Sequence, residues 1–432
     1  MLNLAIFLTL AAGLLIFLKW YVRTEIIDPV FFTSAYWIGF ILFSVLLSLN
    51  MGFVFYWVGV VPVMLLLLAF VAGGFVMKQL MKRMIPDESE EKNKLKKHSL
   101  SVNRIFWLIM VFSGLGLLAI YMQLDYLQIH IQNLSELLHT ANRISVIRYN
   151  GGQEMPKMGL VLMAFLYSAG FLGGVYSVVS KQWLSKIISL LPFVVMLIFT
   201  VINGVKTGFL FLLVIWVSGF AAAYVYEKKG EIQRLGSLAV KVLIIVFMVL
   251  LLIPLTQVMR GGRTDGKITY VNAGALSYFG SFNAFSVWYH SYNNDELTGG
   301  KYTLSGVHNF FYGEREVGLY GDQNVTVGVW EGNPIRTNVY TMTRGLIEDF
   351  TLFGAIAVLF LSGIIMQLVY ESARRRNALA MGVLALFYSI LLWSFTANLI
   401  NYNTLILSWI ISLLVIFYIR KQRKTVHTIT EE

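Results

Sequence analysis

The chain has 432 residues, of which 57% are hydrophobic, 15% aromatic and 13% charged, with a mean hydropathy of +0.69. Soluble domains carry roughly 45–50% apolar and about 25% charged residues, so a soluble globular protein is excluded. Lys and Arg number 34 against 23 Asp and Glu, a net charge of +11, which in so apolar a chain is read by position relative to a membrane and not as a nucleic-acid footprint. There is no cysteine, which removes disulfides, thiolate metal sites and cysteine nucleophiles from consideration.

Crossing the hydrocarbon core takes about 20 mostly apolar residues. On that criterion eleven transmembrane spans are predicted, at 2–18, 27–48, 52–77, 105–124, 158–180, 187–203, 207–226, 238–258, 346–370, 378–396 and 402–419. The first has no basic segment before it and is followed by Lys19, Trp20 and Arg23 without a small-residue cleavage site, so it reads as a retained span and not as a signal peptide. Alternate connections hold 23 of the basic residues and the others 11. The richer side is assigned to the cytoplasm, which predicts an external N-terminus and a cytoplasmic C-terminus. The mixed-charge stretch 87–97 reads as a solvated cytoplasmic linker. The chain divides into spans 1–8 over 1–258, an external segment over 259–345, and spans 9–11 with a cytoplasmic tail over 346–432.

Two external connections are long, 125–157 and the 87-residue segment 259–345. Loops beyond about 12–15 residues are usually functional or disordered. The longer one is too rich in Trp, Phe and Tyr for disorder, and a folded external cap is expected. Within it Phe279, Phe282, Phe285 and Trp288 recur every third residue, with Ser281, Asn283 and Ser286 between them. That pattern predicts an amphipathic helix at the interface, its aromatics toward lipid or the cap core.

The external basic residues are Arg143, Arg148, Lys157, Lys206, Arg260, Arg263, Lys267, Lys301, Arg315, Arg336 and Arg344. Long loops translocate regardless of charge, so solvation of the cap is one explanation. Their placement favours another, because Arg260 and Arg263 leave the outer end of the 238–258 span and Arg344 leads into the next span. A lipid phosphate would sit at that depth. Guanidinium forks suit diphosphate oxygens, and Arg260-Gly261-Gly262-Arg263 lets the backbone approach closely. Cap aromatics suit the apolar faces of sugar rings. A general base is required if a hydroxyl is to attack; the candidates are His290, His308, Asp265, Glu314, Glu316, Asp322, Glu331, Glu348 and Asp349. The Glu348-Asp349 pair falls in the first turn of its predicted span, where acids are favourable in any helix.

Other motifs fail. Gly114-Leu115-Gly116-Leu117-Leu118-Ala119 matches a dinucleotide-binding pattern but lies inside a span with no preceding strand. Lys206-Thr207 resembles the end of a P-loop, but Val205 replaces the required glycine. No His-Glu-x-x-His, Cys/His cluster or Asp-x-Asp occurs, so neither a metal nor another cofactor has sequence support. A donor carried on lipid diphosphate fits better than a nucleotide sugar. Ion-coupled transport usually leaves ionisable residues deep in the spans; here they cluster at span ends, which favours chemistry at the outer surface over passage through the membrane.

The layout resembles the oligosaccharide repeat-unit polymerases of bacterial surface polysaccharides, the O-antigen polymerase (Wzy-type) family. Arg260-Gly261-Gly262-Arg263 is similar to the arginine-bearing start of that family's large external loop. Thr337-Asn338-Val339-Tyr340-Thr341, then Arg344, Leu346-Ile347-Glu348-Asp349-Phe350 and Gly354, resemble its Asn-Val-Tyr-Thr and Asp-Phe-Gly stretch, with Thr351 where the family usually has glycine. Gly204-Val205-Lys206 is similar to its short basic outer turn. The resemblance implies an all-α, GT-C-like polytopic membrane glycosyltransferase of the bacterial cytoplasmic membrane, acting without a metal ion or cofactor. It would transfer the growing glycan from one undecaprenyl-diphosphate carrier to a repeat unit on another, at the outer face. Arg260, Arg263 and Arg344 are the expected diphosphate clamp, with Lys206 and Arg336 secondary. Tyr340 and Asn338 would orient sugar or phosphate, and His308 or Asp322, with His290 weaker, would be the base. Arg143 and Arg148 would hold the second carrier. Implied partners are undecaprenyl-diphosphate-linked oligosaccharide, membrane lipids, and chain-length regulator and flippase proteins, with no nucleic acid. A lipid-linked oligosaccharide flippase or a glycan ligase of similar layout are the alternatives.

Overall fold

The structure is a computed structural model, and it describes residues 2–22, 25–84, 98–130, 133–149, 153–180, 182–228, 280–293, 297–312, 325–330 and 333–422. Among these, eight helices are long and apolar enough to cross a membrane, and two shorter apolar helices, Ala378–Trp393 and Asn403–Ile419, follow them. The chain is therefore a polytopic helical membrane protein. These ten helices correspond to ten of the eleven predicted spans; the span at 238–258 lies outside the described residues.

Elements are numbered along the described residues. Helix α1 (Leu2–Ile16) runs into a π-turn at Phe17–Tyr21. Helix α2 (Pro29–Met51) starts on an N-cap in which Asp28 accepts from the Val30 N–H, with Pro29 supplying a preset φ for the first turn. Helix α3 (Val60–Met84) follows a short 3-10 turn at Trp57–Gly59. Strand β1 (His98–Leu100) precedes α4 (Val102–Tyr126). Next come α5 (Leu134–Tyr149), α6 (Lys157–Val179), α7 (Trp183–Ile188), α8 (Leu191–Asn203) and α9 (Thr207–Lys228). The 259–345 segment contributes α10 (Ser281–Ser291), α11 (Ser305–Tyr312), β2 (Val325–Trp330) and β3 (Asn333–Thr337). The chain then forms α12 (Met342–Arg374), α13 (Ala378–Trp393), a 3-10 turn at Leu399–Asn401, α14 (Asn403–Ile419) and β4 (Arg420–Gln422).

Helices α3 and α12 meet backbone to backbone. A Cβ on Gly73 would overlap the carbonyl oxygen of Phe360, and one on Gly363 would overlap that of Phe70. Small residues make such approach feasible where the lipid offers no hydrophobic drive between helices, so that close packing carries the association. In the second half of the bundle, α6 lies between α4, α9 and α14. There Gln123 and Asn203 are buried and exchange both amide hydrogen bonds, at 2.7 and 3.1 Å, which satisfies polar groups that water does not reach.

One end of the bundle is polar and basic. Lys78 pairs with Asp28 at 3.5 Å, Arg374 with Glu25 at 3.2 Å and Arg376 with Glu227 at 3.9 Å. Strand β1 pairs antiparallel with β4, and Arg104 donates to the Tyr418 carbonyl while lying over its ring. These contacts gather the connections that the sequence assigns to the Lys- and Arg-rich side. The opposite end carries the described parts of the 259–345 segment.

The folded cap expected over 259–345 holds a β-hairpin beside its helices: β2 and β3 pair antiparallel with a bulge between Thr326 and Gly328, and Phe53 bridges to Gly328. Two expectations need correction. The predicted interfacial helix is α10, and its first half does not lie on a surface. Phe282 and Phe285 are fully buried, and so are Ser281, Asn283 and Ser286 between them. The polar face is consumed by the 53–56 segment, whose Val54 carbonyl accepts from Asn283 and whose Tyr56 N–H donates to Ser286 Oγ. Finally, the 125–157 connection is not simply a loop, since it contains α5, which packs on α8.

Candidate active site

The site is built where the hairpin, α10 and the start of α12 meet. Strand β3 alternates as a half-buried strand does: Ile335 and Thr337 are buried, while Arg336 and then Asn338 are exposed. Phe53, Val327, Ile335 and Tyr340 form a small core beneath the hairpin. The chain leaves β3 through Asn338 and Val339, and Thr341 stands at the N-cap of α12.

Arg344 therefore falls in the first turn of α12. Its residue is 2% exposed, and its guanidinium carbon lies 4.1 Å from the Tyr340 ring centroid and 5.0 Å from that of Trp288 on α10. Its Nε donates to Glu348 Oε1 at 3.0 Å, one turn further along. A cation at a helix N-terminus opposes the helix dipole, so the two rings and the carboxylate must offset that as well as desolvation. Burial pushes the Tyr340 hydroxyl above its ordinary pKa, while the charge of Arg344 and the hydrogen bond it donates pull in the other direction. Around them Trp288 and Tyr292 pack with centroids 4.4 Å apart and ring planes tilted by 40°, and Phe285 and Tyr289 continue the array. Those three, Trp288, Tyr289 and Tyr292, are half-buried.

The Glu348-Asp349 pair is not an ordinary helix-start feature. Helix α12 begins at Met342, four residues before the predicted span, which moves both acids into its second turn. Asp349 is fully buried. It accepts from Thr298 Oγ1 at 2.5 Å, the Tyr302 N–H at 3.1 Å, and both the N–H and Oγ1 of Thr303 at 2.6 Å. Asn398 clamps the same turn from the other side, donating to the Thr303 carbonyl at 2.8 Å. The 298–304 turn is thus held between α12 and the α13–α14 connection. Just beyond Asp349 the helix breaks at Thr351, with φ 58° and ψ 175°, a conformation normally left to glycine.

The structure brings Tyr340 and Arg344 together, and places Arg336 and Asn338 on the exposed rim of the same strand and its exit. Lys206 is 3% exposed in the turn between α8 and α9, after a left-handed Gly204. That turn lies at the capped end, because Phe211 on α9 packs on Trp393 and Tyr402 at 4.5 and 4.7 Å. Rings run on from Trp393 through Phe395 and Phe40 to Phe282 and Phe285 of α10. His308 is exposed on α11, which packs against Leu399–Asn401 and α14. His290 is also exposed, stacked on Tyr56 at 4.3 Å. Arg143 is exposed on α5. Arg260, Arg263 and Asp322 lie outside the described residues, as does the side chain of Arg148. Among the described residues no group of three or more His, Asp or Glu side chains converges.

Sequence reasoning missed two partners. Glu348 is four residues from Arg344, a spacing that puts both on one helix face, so this contact was detectable once the helix start was known. Trp288 comes from 56 residues upstream and left no local signal of the contact. No protein-family model matches this chain, and no curated protein or solved structure does so either.

Proposed function

We propose that this protein is a polymerase of bacterial surface polysaccharide, an O-antigen-polymerase-like glycosyltransferase with eleven spans in a GT-C-like arrangement. It lies in the cytoplasmic membrane with its N-terminus outside. The growing glycan leaves one undecaprenyl-diphosphate carrier and joins a repeat unit on another. The observation that carries this reading is the external segment folded onto one end of the bundle, with an arginine buried among cap aromatics at the start of α12. Guanidinium, phenol and indole surfaces at membrane depth suit a substrate that is part sugar, part anion and part lipid.

In the reaction, a hydroxyl of the acceptor repeat unit attacks the anomeric carbon of the donor sugar. The bond from that carbon to the phosphate oxygen breaks, and undecaprenyl diphosphate leaves with the electron pair. Arg260 and Arg263 at the root of the segment are the proposed diphosphate clamp, with Lys206 and Arg336 supporting it. Fixed cations stabilise developing charge most where water is excluded. His308 or Asp322 accepts the hydroxyl proton, and Arg143 and Arg148 hold the second carrier.

The test is incubation of purified protein with undecaprenyl-diphosphate-linked repeat units in the absence of other proteins. A ladder of lengthened lipid-linked products supports the reading. Movement of the units across a vesicle bilayer without lengthening identifies a flippase. Transfer only to a finished lipid or protein glycan identifies a ligase.

A further inference from the structure

We propose that Arg344 and Glu348, together with the rings of Trp288, Tyr292 and Tyr340, form a subsite for a sugar ring of the substrate and not a subsite for the carrier's diphosphate. This rests on the polymerase reading and reassigns one member of its expected clamp.

Charge is the first argument. Arg344 Nε donates to Glu348 Oε1 at 3.0 Å, so the two side chains together present no net charge. A diphosphate brought to this guanidinium would also be brought to the carboxylate, whose repulsion offsets the attraction. A neutral sugar meets no such opposition. Its vicinal hydroxyls both donate and accept, and an arginine beside a glutamate offers donors and acceptors at adjacent positions.

Shape is the second argument. A pyranose has an apolar C–H face that packs on aromatic planes and a rim of hydroxyls that needs hydrogen bonds. Trp288 and Tyr292 stand with centroids 4.4 Å apart and are only half-buried, and Glu348 keeps 12% of its side chain exposed beside Arg344 at 3%. The reachable surface is therefore the exposed parts of the two rings and a carboxylate edge, with the guanidinium behind them. Tyr340 packs against that guanidinium, its ring centroid 4.1 Å from the guanidinium carbon. The cost of holding Arg344 against the helix dipole in a buried place is what an ordinary packing role would avoid. Deviations of this kind concentrate at functional sites.

The experiment measures binding of two probes to protein in nanodiscs: undecaprenyl diphosphate alone, and undecaprenyl diphosphate carrying the repeat unit isolated from the protein's native membranes. Wild type should bind the sugar-bearing carrier about tenfold tighter than the bare one, the worth of one good charge-assisted hydrogen bond. Glu348→Gln and Trp288→Leu should bring that ratio close to one while leaving affinity for the bare carrier within about twofold. Trp288→Phe, which keeps an aromatic face and the local packing, should restore most of the ratio. Thermal midpoints of all variants identify any that fail to fold, and the ratio in whichever of Glu348→Gln and Trp288→Leu folds then decides. The subsite is overturned if the ratio survives in both Glu348→Gln and Trp288→Leu, if bare-carrier affinity falls or rises about tenfold in Glu348→Gln, or if Trp288→Phe is as defective as Trp288→Leu. Wild-type protein that binds neither probe overturns the polymerase reading, and the subsite with it.

Discussion

Replacing Asp349 with alanine should release the 298–304 turn from α12 without dismantling the bundle. The carboxylate is fully buried and serves two backbone donors, the N–H groups of Tyr302 and Thr303, as well as the hydroxyls of Thr298 and Thr303. The hydroxyls have other recourse, since Thr298 Oγ1 also donates to the Glu348 carbonyl at 3.2 Å. The two backbone donors would lose a charged acceptor, and each such loss costs about 1–3 kcal/mol. The expected loss is about 2–6 kcal/mol of local stability, concentrated in the turn because the remaining α12 contacts are untouched. Hydrogen exchange in detergent reads this directly. At 1.4 kcal/mol per factor of ten, amides from 299 to 308 should exchange at least roughly 30-fold faster, while those of the α3 and α12 spans keep their wild-type rates. Asp349→Asn retains one carbonyl oxygen for the Thr303 N–H and turns its amide toward the Thr298 hydroxyl. It should fall in between, losing charge assistance worth about 1 kcal/mol. Exchange at 299–308 within about threefold of wild type in the alanine variant would refute the idea that Asp349 holds this turn.

At Thr351 the backbone sits in a glycine region at an expense of about 1–3 kcal/mol, so Thr351→Gly should raise the thermal midpoint by a few degrees; an unchanged or lower midpoint contradicts the strain. Gly363→Val should push α12 off α3, because the added carbons meet the Phe70 backbone, and should lower the thermal midpoint and broaden the size-exclusion profile. Wild-type behaviour in both measurements would refute the close approach. Arg263→Ala should abolish polymer while the protein stays in the membrane and single lipid-linked units accumulate, and Arg263→Lys should restore only part of the activity, because an ammonium lacks the planar two-point fork. Wild-type chain length in the alanine variant removes Arg263 from the clamp, and full activity of the lysine variant reduces its role to charge.

The membrane helices were legible because their information is local. An apolar window of about 20 residues carries its own signal, and ten of the predicted windows are apolar helices in the fold. The grouping of connections by charge was legible for a related reason. Lys78, Arg104, Arg374 and Arg376 share one end because chain direction reverses at each span, and counting spans is enough to place them. The helix and its core-facing aromatics were legible in the same way, but the interfacial placement of α10 was not. Its pattern of Phe and Ser is truly periodic, but periodicity cannot distinguish water from a neighbouring segment that supplies the Val54 carbonyl and the Tyr56 N–H.

The candidate site divides along that line. Composition and motif spacing by themselves determined a polytopic membrane chain, a long aromatic segment between spans and an arginine at the root of α12. Only the tertiary structure decided what that arginine touches. Trp288 reaches it across 56 residues of chain, Glu348 joins it because α12 begins at Met342, and Asp349 proves to hold a turn that comes from 298–304. Contacts of that kind are set by how separate segments pack. A linear pattern records which side chains are present and at what period, but not which of them the folded chain closes against one another.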